Sequence, residues 1–245
     1  MNAKKTFSTS WRILSQLKHD HRTVALIFAM PVLLMGMVAW ILVDYPGAFD
    51  HWGPWILGIF PLTVMFLVTS VATLRERLSG TLERVLLLPI GRADLLGGYA
   101  VAFGLLGVLQ ALLVTIVSFT LYGMEVSGSP VLIAVVAIAV ALLGMSLGLA
   151  ASAVAATEFQ AVQMMPAIVF PQLFLCGILV PRDSLPTILE WLSWAMPLSY
   201  AIDAINAVTA STPDTGAYWT ALVILVGFIL GSLTLGALTL RRTHR

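Results

Sequence analysis

Charge is what this sequence has least of. Asp, Glu, Lys and Arg make up 10% of its 245 residues, while 59% are hydrophobic and the mean hydropathy is +0.97. A soluble domain carries about a quarter charged residues, so this chain belongs in a bilayer. A net charge of +1 removes the bulk basic signal that nucleic-acid binding requires. Cysteine is nearly absent: Cys176 stands alone, which excludes an internal disulfide and a Cys-cluster metal site. It reads as a small apolar residue of a membrane core. Lysine stops at Lys18. A nucleotide-cradling loop of the form G-x-x-x-x-G-K-[ST] needs a lysine on the phosphates, so the chain carries no such loop. The four histidines, His19, His21, His51 and His244, sit near the chain ends or in a loop and form no metal-ligand cluster. No cofactor and no catalytic residue is expected in this chain. The first 22 residues are polar, so no short apolar signal is expected there and targeting falls to the spans.

What is present is a series of long apolar runs. A spanning helix needs about 20 mostly apolar residues, and six stretches qualify: Thr23–Val43, Trp55–Leu74, Leu96–Tyr122, Val131–Ala156, Ala161–Val180 and Ala217–Leu240. The expected fold class is therefore an all-α polytopic membrane protein of one domain, 1–245. The fourth and sixth runs are rich in small residues, including Gly144, Ser146, Gly148, Gly227, Gly231 and Gly236. Such residues let helices approach closely where lipid gives no hydrophobic drive between them. If the spans alternate, twelve of the thirteen basic residues fall on one side and only Arg182 on the other. By the positive-inside rule, both termini and the 75–95 segment are cytoplasmic, and the loops at 44–54, 123–130 and 181–216 face outward.

Two segments outside the spans are patterned. At 4–21, Phe7, Trp11 and Leu14 share one helical face, and Lys5, Arg12 and His19 the opposite one. This pattern predicts an amphipathic helix in the headgroup layer; the other reading is a disordered basic tail. The fifth run is interrupted by Pro166 and Pro171, and Pro181, Pro186 and Pro197 break the apolar stretch after it. Leu185, Leu189 and Leu192 fall together there. Two short pieces joined at Pro197 fit a re-entrant helical hairpin over 181–210, whose broken backbone must be covered by protein or line a cavity. The alternative is an outer loop with an interfacial helix.

No acidic or basic residue sits mid-span, which counts against an ion-coupled carrier. Gln110 is the clearest polar residue inside a span, for an interhelical hydrogen bond or for substrate. Ser146 and Ser152 are expected to bond back to helix carbonyls. The bundle thus has no energy source of its own, and energy has to arrive through a cytoplasmic handle. The one well-formed handle is "RERLSGTLERVLLLPIGRADLLGGY", Arg75 to Tyr99. A helix from about Leu74 to Leu88 puts Leu78, Leu82 and Val85 on one face; Pro89-Ile-Gly91 ends it, and Asp94 caps the helix that follows. A solvated positive-inside loop fits the composition equally well.

That stretch resembles the first cytoplasmic loop of type-2 ATP-binding-cassette export permeases, through Glu76, Gly80, Thr81, Glu83, Leu86, Pro89, Arg92, Leu95, Leu96 and Gly97. "CGILVPRDSLPTILEWLSWAMPLSYAIDAI" is similar to the family's outer segment, with Gly177, Pro181, Leu185, Pro186, Leu192, Pro197, Leu198, Tyr200 and Asp203 in order. The resemblance covers the whole chain. It implies a coupling helix at 75–95 whose Glu76, Gly80, Thr81, Glu83, Arg84, Pro89 and Arg92 contact a separate ATPase subunit, which would hold the ATP and magnesium. It implies an outer gate at Gly177, Pro181, Pro186, Pro197 and Tyr200. It also implies a second permease subunit, identical or not, membrane lipid around the pair, and a plasma-membrane location. The short 44–54 loop disfavours types with a large outer domain and leaves the substrate class open; resemblance to small multidrug-type permeases implies a drug-, antibiotic- or lipid-like amphipathic substrate. The alternatives are a polysaccharide or glycoconjugate exporter and a non-transporting membrane sensor or scaffold. Trp52, Trp55, Trp191, Trp194 and Trp219 fit an aromatic belt better than a sugar track.

Overall fold

The computed structural model describes residues 3–79 and 91–239. Among these the chain is helical: α1 (Ala3–His19), α2 (His21–Ile41), α3 (Ala48–Leu57), α4 (Phe60–Leu78), α5 (Arg92–Thr120), α6 (Pro130–Val154), α7 (Glu158–Leu175), a 3₁₀ turn (Arg182–Ser184), α8 (Thr187–Trp194), α9 (Pro197–Thr209) and α10 (Thr215–Thr239). Five stretches are long and apolar enough to cross a membrane: Thr23–Ile41, Ala48–Leu78, Asp94–Thr120, Pro130–Val154 and Thr215–Ala237. The sequence pattern pointed to six. The difference is α7, which the structure ends at Leu175 rather than Val180 and which carries Gln160, Gln163 and Gln172 among its 18 residues.

The expected 44–54 loop is also not a loop. Ala48–Leu57 is helical and continues into α4 after a break at Gly58–Ile59. Pro61 lies in the first turn of α4. It has no N–H to donate back one turn, so the helix breaks there instead of running through.

α6 is the most buried of the spans and α2 the least. In lipid, burying one more leucine gains little, because the acyl chains are as apolar as the leucine; close packing has to supply the stability. The tightest crossing is α4 on α6. A Cβ on Gly144 would sit 2.3 Å from the Leu62 carbonyl oxygen, and one on Gly148 would sit 2.6 Å from that of Phe66. One turn apart, these two glycines let the α6 backbone lie directly on α4, and Leu62, Met65 and Phe66 are fully buried around the contact. Not every small residue works this way. Around Gly227 and Gly231 of α10 there is nothing within 4 Å. α10 packs instead through buried Ala221, Leu225 and Ile229, and two hydrogen bonds add to this: Ser232 donates to Ser146 of α6 at 2.6 Å, and Tyr218 donates to the Leu132 carbonyl at 3.1 Å. Ser146 and Ser152 bond back to Leu143 and Leu149 as their spacing indicated.

α1 is a helix, not a tail. Its Thr6, Thr9, Ser10 and Ile13 are buried, while Phe7 and Trp11 are two-thirds exposed. The small face lies on α5: Ser10 donates to the Gly98 carbonyl at 3.0 Å, and a Cβ on Gly98 would sit 2.5 Å from Thr9. Leu14 turns toward the protein rather than joining Phe7 and Trp11 outside.

Gly144→Val or Gly148→Val puts side-chain carbon into backbone that cannot retreat. Each is expected to cost at least about 1–3 kcal/mol in thermal unfolding of the detergent-purified chain. Gly227→Val is expected to leave the transition within about 0.5 kcal/mol.

Candidate functional site

Successive residues on a helix point about 100° apart. Three charged neighbours at a helix end therefore reach in three directions, and Arg75, Glu76 and Arg77 do so at the end of α4. Arg75 forms a two-pronged pair with Glu158 in the first turn of α7, with Nε and Nη2 each at 2.9 Å. Glu76 takes both guanidinium nitrogens of Arg12 from α1, at 3.2 and 3.0 Å, and the hydroxyl of Tyr99 from α5. Arg77 donates to the carbonyls of Ala153, at 2.8 Å, and Ala155 at the end of α6. Those carbonyls have no partner within their own helix, and a cation there also suits the helix dipole. One turn of α4 thus ties down α1, α5, α6 and α7 together.

The three contacts are not equal. Glu76 and Arg12 are 17% and 30% exposed, Arg75 and Glu158 59% and 43%. The hydrogen bonds from Arg75 hold the Glu158 carboxyl below its ordinary range. That contribution is present above the ordinary carboxylate pKa and is lost as pH falls through the depressed one.

The triplet is the first part of the expected handle, 75–95. Glu76 is in place, but within α4 rather than in a separate helix, since α4 runs to Leu78. Gly80, Thr81, Glu83, Arg84 and Pro89 lie outside the described residues. So does the Arg92 side chain, although Arg92 opens α5. At that start Asp94 accepts from the Gly91 N–H at 3.2 Å, the cap its position indicated. Gln110 is 1% exposed, and neither end of its amide finds a partner among the described residues.

At the opposite end, the five expected gate residues surround a sixth that the sequence reading passed over. Gly177 leaves α7 with φ +93°, a left-handed turn that favours glycine. Pro181 and Pro186 stand just before the 3₁₀ turn and α8, and Pro197 takes the first turn of α9. Gly177 and Pro181 stand beside Arg182, and the two helices that follow Pro186 and begin at Pro197 supply its other partners. Its guanidinium carbon lies 4.2 Å from the Trp194 ring centroid and 5.6 Å from that of Tyr200. Its Nε donates to Ser193 at 3.2 Å and its Nη1 pairs with Asp203. Tyr200 in turn donates to the Trp194 carbonyl at 2.8 Å. Arg182 thereby holds α8 and α9 to each other. Gln172 of α7 accepts from the Leu198 N–H at 3.3 Å, and Trp55 of α3 donates to Asn206 at 2.7 Å. The sequence set Arg182 apart, as the one basic residue that alternating spans separate from the other twelve. Burial pushes the Asp203 carboxyl up, and Arg182 only partly offsets this.

Glu76→Gln removes the charge that Arg12 faces and is expected to lower stability by about 2 kcal/mol. Glu158→Gln, at the wetter pair, is expected to cost less than about 1 kcal/mol. Thermal unfolding of the two variants reads the difference. Arg182→Ala is expected to cost about 2–4 kcal/mol and to open 181–196 to limited proteolysis. Arg182→Lys is expected to recover less than half of that, because an ammonium cannot lie flat on Trp194 while bonding Ser193 and Asp203.

Comparison with known proteins bears on what these two ends serve. Residues 4–209 match the family described as ABC-2 type transporter. The chain is 24% identical over 169 residues to the Probable multidrug ABC transporter permease YbhR of Escherichia coli (strain K12), covering 69% of this chain and 46% of that protein. It is 26% identical over 156 residues to the Probable multidrug ABC transporter permease YbhS of the same strain, covering 63% and 41%. It is 23% identical over 200 residues to ABC transporter G family member 20 of Dictyostelium discoideum, covering 80% and 27%. The chain thus spans between about a quarter and just under half the length of these relatives.

Proposed function

The chain belongs to the ABC-2 type transporter family, and from that premise we propose that it is the membrane subunit of an exporter driven by ATP hydrolysis on a separate subunit. The observation that carries this reading is the triplet Arg75–Glu76–Arg77. It immediately precedes the 80–90 segment, and it ties that segment's entry point to α1, α5, α6 and α7. In this reading the ATPase subunit seats the 80–90 segment, with Glu83, Arg84 and Pro89 in contact. Closure of two ATPase subunits on ATP displaces the end of α4, and the triplet hands that displacement to four helices at once. A partner shifts such an equilibrium only by its differential affinity for the two states; ATP supplies that difference here.

The remaining features follow from this reading. α7 is the sixth span: Gln172 is buried within this chain, and the exposed Gln160, Gln163 and Pro171 face the second permease subunit rather than lipid. The triplet end is cytoplasmic, with both chain termini on that side of the plasma membrane, as the lopsided basic residues favour. α8 and α9 form the re-entrant outer hairpin, and the Arg182 cluster keeps it shut until α7 moves. Two permease subunits form the pathway. The substrate is a drug-, antibiotic- or lipid-like amphiphile, a reading supported by the apolar lining of the spans and by relatives whose names carry "multidrug".

Purification of the tagged chain in mild detergent from its native membrane, with bound proteins identified by mass spectrometry, tests the reading. A stoichiometric ATPase subunit, lost when 80–90 is scrambled, is the expected outcome. Recovery of the chain without any ATPase would favour a sensor or scaffold instead.

A further inference from the structure

A groove of about 750 Å³ lies between α7 and α10, with Leu143 and Leu147 of α6 as its floor. Met196 and Pro197, at the corner of α8 and α9, line its outer end. The floor residues stand near the middle of the span Pro130–Val154, so the groove is at hydrocarbon depth. Its α10 wall includes Gly227 and Gly231, which have nothing within 4 Å of where a Cβ would stand. Gly144 and Gly148 are small so that a helix can close on them; Gly227 and Gly231 keep a groove open. Both are exposed, as are Val223 and Leu230 on the same helix, so the groove opens sideways toward the acyl chains.

Two polar side chains interrupt the apolar lining, Gln172 and Ser232, only 3% and 7% exposed. Each keeps hydrogen-bonding capacity that no described residue uses. The Gln172 amide donates to the Ile168 carbonyl and accepts from the Leu198 N–H, which leaves its second N–H spare. The Ser232 hydroxyl donates to Ser146 or to the Phe228 and Ile229 carbonyls, and Ser146 donates to Leu143. The Ser232 lone pairs therefore receive no donor among the described residues. Among those residues no charged side chain lines the groove.

We propose that this groove is a cargo-binding site for an uncharged, drug-sized amphiphile, which enters from the bilayer and hydrogen-bonds to Gln172 and Ser232. Each part of that description has a cause. The volume is that of sites for drug-sized ligands. A charged occupant would be buried at hydrocarbon depth with no opposite charge beside it. A wholly apolar one would exchange acyl chains for an equally apolar wall and gain little. The spare amide N–H and hydroxyl lone pairs supply the preference. The occupant touches Met196 and Pro197, which stand in sequence between Trp194 and Tyr200 of the Arg182 cluster. It therefore lies against the hairpin that the cluster holds. The inference rests on the exporter reading for calling the occupant cargo.

The test is photolabelling of the full chain in phosphatidylcholine nanodiscs with three benzophenones of different charge, the labelled residues being located by mass spectrometry. The probes are neutral 4-(hydroxymethyl)benzophenone, cationic (4-benzoylbenzyl)trimethylammonium and anionic 4-benzoylbenzoate. Val101, Leu105 and Leu109 on the exposed face of α5 report bulk partitioning of each probe, so groove labelling is read relative to theirs. That ratio is expected to be at least about tenfold higher for the neutral probe than for either charged one. Gly227→Val with Gly231→Val fills the α10 side where no neighbour stands. This variant is expected to fold normally and to lower the neutral probe's ratio about tenfold, with α5 labelling unchanged. If it fails to fold, the three probes on the wild-type chain decide alone. Equal ratios for the three probes, or an unchanged ratio in the folded double variant, would overturn the proposal. No ATPase subunit takes part in this measurement, so its failure leaves the exporter reading standing, and failure of that reading leaves the binding result standing.

Discussion

One charged turn organises this molecule. Arg75, Glu76 and Arg77 are consecutive, so the helix geometry alone sends them to α7, to α1 with α5, and to α6. Charged side chains are scarce in this chain, and three of them are spent within a single turn of α4. A helix end held in this way cannot shift without moving its neighbours, and that is what a handle for external work requires. The Arg12–Glu76–Tyr99 contact is the drier part of this turn and Arg75–Glu158 the wetter. The first suits a fixed joint and the second suits a contact that breaks and reforms.

Above the triplet the constraint changes from charge to shape. Lipid removes most of the hydrophobic drive, so α4 and α6 stay together because Gly144 and Gly148 let their backbones touch. The closely packed α4–α6 pair links the triplet to the opposite end, where the ion pair Arg182–Asp203 stands. Arg182 gathers Trp194, Tyr200, Ser193 and Asp203 and holds α8 and α9 as one packed unit. Between the two charged ends runs α7, anchored by Glu158 at its start and by Gln172 near its finish. In the proposed exporter it carries a change at one end to the other.

Much of this was legible in the sequence, for physical reasons. Hydropathy located four of the spans within three residues at each end and the core of a fifth, Ala48–Leu78, because a spanning helix must be long and apolar. Pro197 and Gly177 mark turns for opposite reasons: proline fixes φ and lacks a donor, while glycine alone readily takes the positive φ seen at Gly177. The small face of α1 was less legible: the amphipathic pattern drew attention to Phe7 and Trp11, which are exposed, whereas Thr6, Thr9 and Ser10 are the residues packed near Gly98 of α5. α3 was missed because Pro54 and Gly53 look like loop residues, yet both are helical here. The roles of Arg75, Arg77 and Arg182 were not legible either. A basic residue near a span end has a topological explanation that masks a specific partner, and the partners lie 76 to 83 residues away for the first two. Gly227 and Gly231 show the converse: a small-residue pattern with no close neighbour behind it.

The most direct test of the central claim follows motion through the triplet. Spin labels on Lys5 in α1 and Gln163 in α7, read by pulsed electron resonance in the reconstituted complex with its ATPase subunit, report the distance between two helices that the triplet joins. With wild-type residues at 75–77, addition of nucleotide is expected to change that distance. With Arg75→Gln and Glu76→Gln together, the change is expected to vanish while nucleotide still binds. An equal change with the triplet removed would contradict the account, since the motion would then reach α1 and α7 by another route.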